Sequence, residues 1–322
     1  MTSATAHPAP FRVIHRQGPT SLRWYQPADV REAPLFISMP LINRASIWDL
    51  LPGHSVLARL LDRGFPIALL DWGSPGPEQA HRPLATFVDE FLGRALDRTR
   101  REARKTLGSE SIDAVGYCVG GTFLAMHLSR HDGVVRRLVA VASPFDFSKG
   151  GRLARWAGPQ FPVDQMAGEW GNFPAERMRQ SFQWLRPEGV VKTWTSLLER
   201  GSDPKFAAVW TALKQWNAEA VDFPGAAWAD YVRACYQENQ LMGGSYLLGG
   251  TPCDLGKATI PALALAASDD HIAPPDAVFG LAKRWGGPVT TRTLRGGHIS
   301  ISLGDALPAA IAGFLTQTSV HA

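Results

Sequence analysis

The sequence predicts an α/β fold: a mostly parallel sheet with helices on both faces, interrupted by a mainly helical insertion. Three observations predict it. Short, continuously apolar runs alternate with amphipathic segments up to about residue 147, which is the signature of strands buried on both faces and joined by crossover helices. That alternation resumes after residue 250. Between the two stretches the texture changes, and residues 148–250 hold seven of the eleven Trp. The division expected is therefore a core of residues 1–147 and 251–322 with a cap at 148–250.

Taken in order, residues 1–10 are small, polar and Pro-containing and read as a loose tail. Residues 11–15 and 21–26 flank Gly18-Pro19 and read as a hairpin. Residues 34–38 (Pro-Leu-Phe-Ile-Ser) form a buried-type strand. A helix follows over 54–63, with Leu57, Leu60 and Leu61 on one face and Gly64 as its stop. Residues 66–71 are a second such strand. Thr86-x-x-Asp89 resembles a capping box, with Asp where Glu or Gln is usual. Val88, Phe91, Leu92, Ala95 and Leu96 then keep helical spacing up to Gly108. The basic run at 98–105 reads as a solvated helix end. Residues 137–142 are another strand. Beyond the insertion come a strand at 260–267, a helix from Pro274-Pro275 to about Trp285, a strand at 289–294 and a closing helix at 305–316. The Trp of the insertion (156, 170, 184, 194, 210, 216 and 228) are expected mainly in its core, where as a group they could also line an apolar substrate channel.

Composition narrows the function classes. The chain has 322 residues, 45% hydrophobic and 19% charged, with a net charge of +4. The bases are spread along the chain, and no aromatic-basic stripe argues for nucleic acid. Three Cys (118, 235, 253) without CxxC spacing suggest neither a disulfide framework nor a zinc site. No signal-peptide pattern and no transmembrane-length apolar run is present, so a soluble, cytoplasmic protein is expected.

The chemistry is concentrated at 112–123, Ile-Asp-Ala-Val-Gly-Tyr-Cys-Val-Gly-Gly-Thr-Phe. A strand enters a glycine-rich turn with Cys118 at its tip, and a helix leaves it. Gly116-x-Cys118-x-Gly120 is the nucleophile elbow of the α/β-hydrolase fold with Cys in place of Ser. Small residues two positions to either side let the turn close without collision. Cys118 would stand at a helix N-terminus, and the Val119 N–H would be free to stabilise an oxyanion. A second N–H is expected from the loop 39–43, at Ile42.

An elbow needs an acid and a His later in the chain, in that order, each after a strand. Asp269 and Asp270 follow the strand at 260–267, and His298 follows the strand at 289–294. The resulting triad is Cys118, His298 and an Asp. His298 would take the thiol proton, and the Asp would fix the imidazole tautomer. His54, His81, His127 and His131 have no such context and read as structural or surface residues. A Cys nucleophile exchanges readily with a thioester donor, which favours acyl transfer over ester hydrolysis.

Several segments make the family recognisable. Gly116-Tyr-Cys-Val-Gly-Gly-Thr122, Pro40-Leu-Ile-Asn-Arg44, Leu70-Asp-Trp-Gly73, Tyr231-x-Arg-x-x-Tyr-Gln-Glu-Asn239, Asp270-His-Ile-x-Pro274 and Gly297-His-Ile299 resemble those of the polyhydroxyalkanoate synthases. The shorter catalytic subunit of the two-subunit class III enzymes is the most similar. The resemblance covers roughly residues 11–316; Met39 departs from it, standing where the family often has Pro. It implies that Cys118 carries (R)-3-hydroxyacyl groups delivered as coenzyme A thioesters, with no cofactor and no metal, and that attack by a 3-hydroxyl extends the polyester chain. It selects Asp270 over Asp269, because the family's acid directly precedes a His. That Asp either orients His298 or assists the attacking hydroxyl. A homodimer, a second synthase subunit and residence at polymer granules are also implied. Two other readings stay open: a Cys-dependent thioesterase, esterase or depolymerase, and an inactive granule-associated scaffold.

Overall fold

A computed structural model describes residues 9–185, 195 and 199–317. Most of the N-terminal tail and Trp194 lie outside the described residues. The chain builds an eight-stranded sheet: β1 (Arg12–Gln17), β2 (Thr20–Tyr25), β3 (Leu35–Ser38), β4 (Ile67–Asp71), β5 (Asp113–Tyr117), β6 (Leu138–Val141), β7 (Ala262–Ala267) and β8 (Val289–Leu294). Its spatial order is β1-β2-β4-β3-β5-β6-β7-β8. β1 pairs antiparallel with β2, and β2 antiparallel with β4. Every other neighbour is parallel.

Every residue of β3 to β7 is buried. Since successive side chains point to opposite faces, unbroken burial means that both faces are covered. The edge strands β1 and β8 are largely exposed, as edges must be. Among the covering helices, α1 (Val56–Asp62) starts at an Ser55 N-cap whose Oγ accepts from the Ala58 N–H at 2.9 Å. It ends at Gly64, whose φ of +88° suits only glycine. α2 (Leu92–Leu107) ends at Gly108 in the left-handed region. α3 (Val119–Leu128) follows the elbow and is buried throughout.

Thr86 and Asp89 do not form the expected capping box. They lie inside a π-turn (Thr86–Phe91) that runs into α2, with no side-chain cap bond. The helix entrance is held elsewhere, by Asp230 Oδ2 accepting the Leu84 N–H at 3.2 Å. Asp89 instead receives Arg130 Nη1 at 2.8 and 2.6 Å. A carboxylate with a guanidinium in reach has no reason to turn back to its own backbone.

Between β6 and β7 the described elements are mainly helical: α4 (Gly151–Trp156), α5 (Val163–Trp170), α6 (Ala175–Leu185), α7 (Pro204–Ala218), α8 (Gly225–Tyr231) and α9 (Gln240–Gly243). Two tethers tie this region to the loop after β3. Trp216 Nε1 donates to Arg44 O at 2.9 Å, and the Val221 N–H to Ile42 O at 3.2 Å. A third closes its far end: Asn239 Oδ1 accepts the Phe147 N–H at 3.0 Å. The Trp do not all lie in the core. Trp216 and Trp228 are buried, but Trp156, Trp170 and Trp184 are exposed, because α4, α5 and the end of α6 form an outer layer. The expected helix at 274–285 is two short ones, α10 (Pro275–Val278) and α11 (Gly280–Arg284). The chain's last described helix is α12 (Ala306–Leu315). Among the described residues no helix is long and apolar enough to cross a membrane.

Candidate active site

Cys118 directly follows β5, with φ 54° and ψ −134°, a conformation that L-residues rarely adopt. Such strain persists only where the surroundings over-determine it. Here the flanking glycines show how. A Cβ on Gly116 would lie 2.2 Å from Gly121 Cα, and one on Gly120 would lie 2.4 Å from Ser38 O. The turn is compressed against β3 and against its own helix, so no larger residue fits. The Cys118 N–H is paired with Val141 O at 2.9 Å, which anchors the turn to β6. Val119 is the first residue of α3, and the first N–H of a helix has no intrahelical carbonyl behind it.

The loops after β7 and β8 carry Asp270 and His298 to the same sheet edge. The two loops are zipped together: the Asp269 N–H donates to Gly296 O at 2.8 Å, and the Gly296 N–H to Ser268 Oγ at 3.1 Å. Asp269 points outward and is exposed, while Asp270 is buried. The Nδ1–H of His298 donates to Asp270 Oδ2 at 2.7 Å. The other oxygen of Asp270 accepts N–H bonds from Ile272 and Ala273 at 2.8 and 2.9 Å.

Burial by itself would lower the pKa of His298. The charges of Asp270 and Cys118, with hydrogen bonds to both, outweigh it and hold the imidazole well above its usual 6.5. The other two thiols lie apart. Burial raises Cys235 strongly and Cys253 to about 11.

Tyr117 completes the arrangement. Its hydroxyl donates to His298 O at 2.8 Å. Its ring stacks on the imidazole at 5.3 Å and rests on Trp48 at 5.5 Å. In the sequence it is marked only by its place in the glycine-rich segment, directly before Cys118.

Two cavities meet at Cys118. One of about 220 Å³ is shared with His298 and carries polar groups from Asn43, Arg179, Gln183 and Asn217. The other, about 140 Å³, is lined by apolar and aromatic side chains, among them Phe161, Phe173, Phe223, Trp228, Tyr231 and Tyr236. Ile42, Met178, Phe182 and Ile272 border both. Ile42 thus sits beside Cys118, on the loop expected to supply a backbone N–H.

Comparison with known proteins agrees with this architecture. A family model described as alpha/beta hydrolase fold matches residues 48–305. The poly(3-hydroxyalkanoate) polymerase subunit PhaC of Allochromatium vinosum is 30% identical over 285 residues, which cover 87% of this chain and 79% of that protein. The subunit of the same name from Haloferax mediterranei is 30% identical over 83% of this chain, and the poly(3-hydroxyalkanoate) polymerase of Methylorubrum extorquens 30% identical over 95%. The chain spans about half the length of these last two, 53% and 51%. Among solved structures, a hydrolase from Pseudomonas aeruginosa superposes with a TM-score of 0.55 over 98% of this chain and 100% of its own, at 17% identity. Proline iminopeptidase of Mycobacterium smegmatis does so with a TM-score of 0.53 over 96% and 98%, at 16% identity. These two likenesses speak to the fold alone. The sheet order, the family match and the identity to the Allochromatium vinosum subunit together place the chain: it belongs to the α/β-hydrolase superfamily and, within it, to the poly(3-hydroxyalkanoate) polymerase family.

Proposed function

We propose that this chain polymerises (R)-3-hydroxyacyl groups, taken from coenzyme A thioesters, through a thioester on Cys118. The observation that carries the reading is the strained Cys118 facing the buried His298–Asp270 pair at the mouth of two chemically different cavities. His298 takes the Cys118 proton, and the thiolate attacks the thioester carbonyl. The Val119 N–H, with that of Ile42, receives the oxyanion charge. The intermediate collapses, the C–S bond to coenzyme A breaks, and His298 returns the proton to the departing thiolate. In the second half a 3-hydroxyl gives its proton to His298 and attacks the acyl-enzyme. An ester forms, and the Cys118 thiol is restored with the proton from His298.

The geometry favours an orienting role for Asp270 over direct contact with the hydroxyl. Its side chain has no exposed surface, and both oxygens are already engaged. It holds the Nδ1–H tautomer, so that Nε2 is the nitrogen that exchanges protons. The cavity that carries the polar groups of Asn43, Arg179, Gln183 and Asn217 suits the coenzyme A portion, and the other suits acyl chain and polymer. Coenzyme A enters only as part of the substrate. Residence in the cytoplasm at polymer granules belongs to the same proposal. So do a homodimer and a second subunit, which the word "subunit" in the relatives' names supports. The division into a core and a cap over 148–250 is part of it too, with the cap forming most of the apolar cavity.

The test is to trap the intermediate. An acyl-coenzyme A without a 3-hydroxyl can load the enzyme but cannot extend a chain. Incubation should add one acyl mass to the peptide containing Cys118, removable by hydroxylamine. No adduct, or one on another residue, overturns the proposal.

A further inference from the structure

The far end of the elbow helix holds a second cluster that the acyl chemistry does not use. His127 lies in the last turn of α3, His131 four residues later, and Asp89 on the π-turn that leads into α2. One ligand atom from each lies within 4.8 Å of the others. We propose that these three residues form a zinc site that pins the end of the elbow helix to the start of α2.

The hydrogen bonding prepares His127 for this role. Its Nδ1 is 2.9 Å from Val88 O. A carbonyl only accepts, so the proton must sit on Nδ1, and Nε2 is left with a lone pair. A backbone carbonyl behind the imidazole is the usual outer support of a metal-bound His. The two imidazoles lie 4.4 Å apart, centroid to centroid.

Asp89 supplies the anion. Its Oδ1 lies 3.7 Å from His131 Nε2, near the ~3.3 Å edge expected between ligands of a tetrahedral zinc with bonds of about 2.0–2.1 Å. Arg130 grips the carboxylate and fixes its orientation, while each oxygen keeps a further lone pair. The same guanidinium repels a cation, which weakens the affinity expected of the site. His131 is 46% exposed and stands beyond the last hydrogen-bonded turn of α3. It offers the ion a way in and can move the remaining distance to close the site. Two imidazoles and one carboxylate favour zinc, nickel or copper over magnesium or calcium, with water as the fourth ligand.

The test uses the full chain, freed of metal by dialysis against a chelator. Titration with zinc should show one equivalent bound at micromolar affinity and a rise in melting temperature, and magnesium should produce neither. His131→Ala, a change at an exposed side chain, should weaken zinc binding ~tenfold or more and remove the thermal shift. Cobalt serves as the second probe. Its spectrum should show nitrogen and oxygen ligation without a thiolate charge-transfer band. No zinc-dependent stabilisation, equal binding by His131→Ala, or a thiolate band placing the ion at Cys118 would each overturn the proposal.

Discussion

The hydroxyl of Tyr117 donates to the backbone carbonyl of His298 at 2.8 Å, and the same ring lies stacked on the imidazole. Tyr117, directly before Cys118, therefore holds the loop that carries His298. Tyr117→Phe keeps the ring and removes the bond, leaving a buried carbonyl unpaired at a cost of about 1–3 kcal/mol. Melting temperature should fall accordingly. Turnover should drop by ~10-fold with little change in KM, since substrate contacts stay in place. Steady-state coenzyme A release checks the split. Unchanged turnover would show that the loop is held without this bond.

Asp270→Asn removes the carboxylate charge that raises the His298 pKa. Turnover should fall by ~10³, chiefly through the wrong imidazole tautomer. Stability carries a pH signature. His298 has a folded-state pKa above its unfolded value, so the stabilisation is complete below about 6.5 and is lost as pH rises through the folded value. The deficit of the variant, about 3 kcal/mol at pH 6 for a broken buried pair, should shrink toward alkaline pH. Denaturant unfolding of both proteins from pH 6 to 10 measures it. A deficit independent of pH would contradict the assigned charge pair.

The elbow tolerates no side chain at its glycines. In Gly120→Ala the new methyl meets the backbone oxygens of Ser38 and Met39 at 2.4 and 2.7 Å, neither of which can rotate away. A loss of about 3 kcal/mol or more is expected. Gly313→Ala, with open space around its Cβ, should be neutral or slightly stabilising in its helix. Expression level and chemical denaturation of the two variants provide the comparison.

Thiol reactivity should separate the three cysteines. Cys118 opens onto both cavities, whereas Cys235 and Cys253 have no exposed surface and thiols raised by burial. Iodoacetamide at pH 8 should modify Cys118 alone in the folded protein. Peptide mass spectrometry before and after unfolding checks this. Equal labelling of all three would remove the distinction.

Much of this architecture is legible in the residues because its elements are strongly punctuated. The strands from Leu35 to Ala267 are short, largely apolar runs between turn residues, and Gly64 and Gly108 stop their helices where left-handed backbone is required. Gly116 and Gly120 mark the elbow for the same steric reason. Beyond the pairing of Asp270 with His298, contacts between segments distant in sequence are not legible. Asp89 answers to Arg130 rather than to Thr86, and Leu84 is capped by Asp230 from the insertion. Tyr117 acts through a backbone carbonyl 181 residues away, which no local pattern encodes. The exposure of Trp156, Trp170 and Trp184 depends on which layer of the insertion each helix joins, and spacing alone is silent on that.

The fate of the acyl group on Cys118 is the central claim. The direct measurement is to incubate the purified chain, alone and with any second subunit that co-purifies, with 3-hydroxybutyryl-coenzyme A or 3-hydroxyoctanoyl-coenzyme A. Released coenzyme A, insoluble polyester and free hydroxy acid are then quantified together. The account predicts coenzyme A release matched by polyester, and neither product with Cys118→Ala. Coenzyme A release matched by free hydroxy acid, or full turnover by Cys118→Ala, would contradict it.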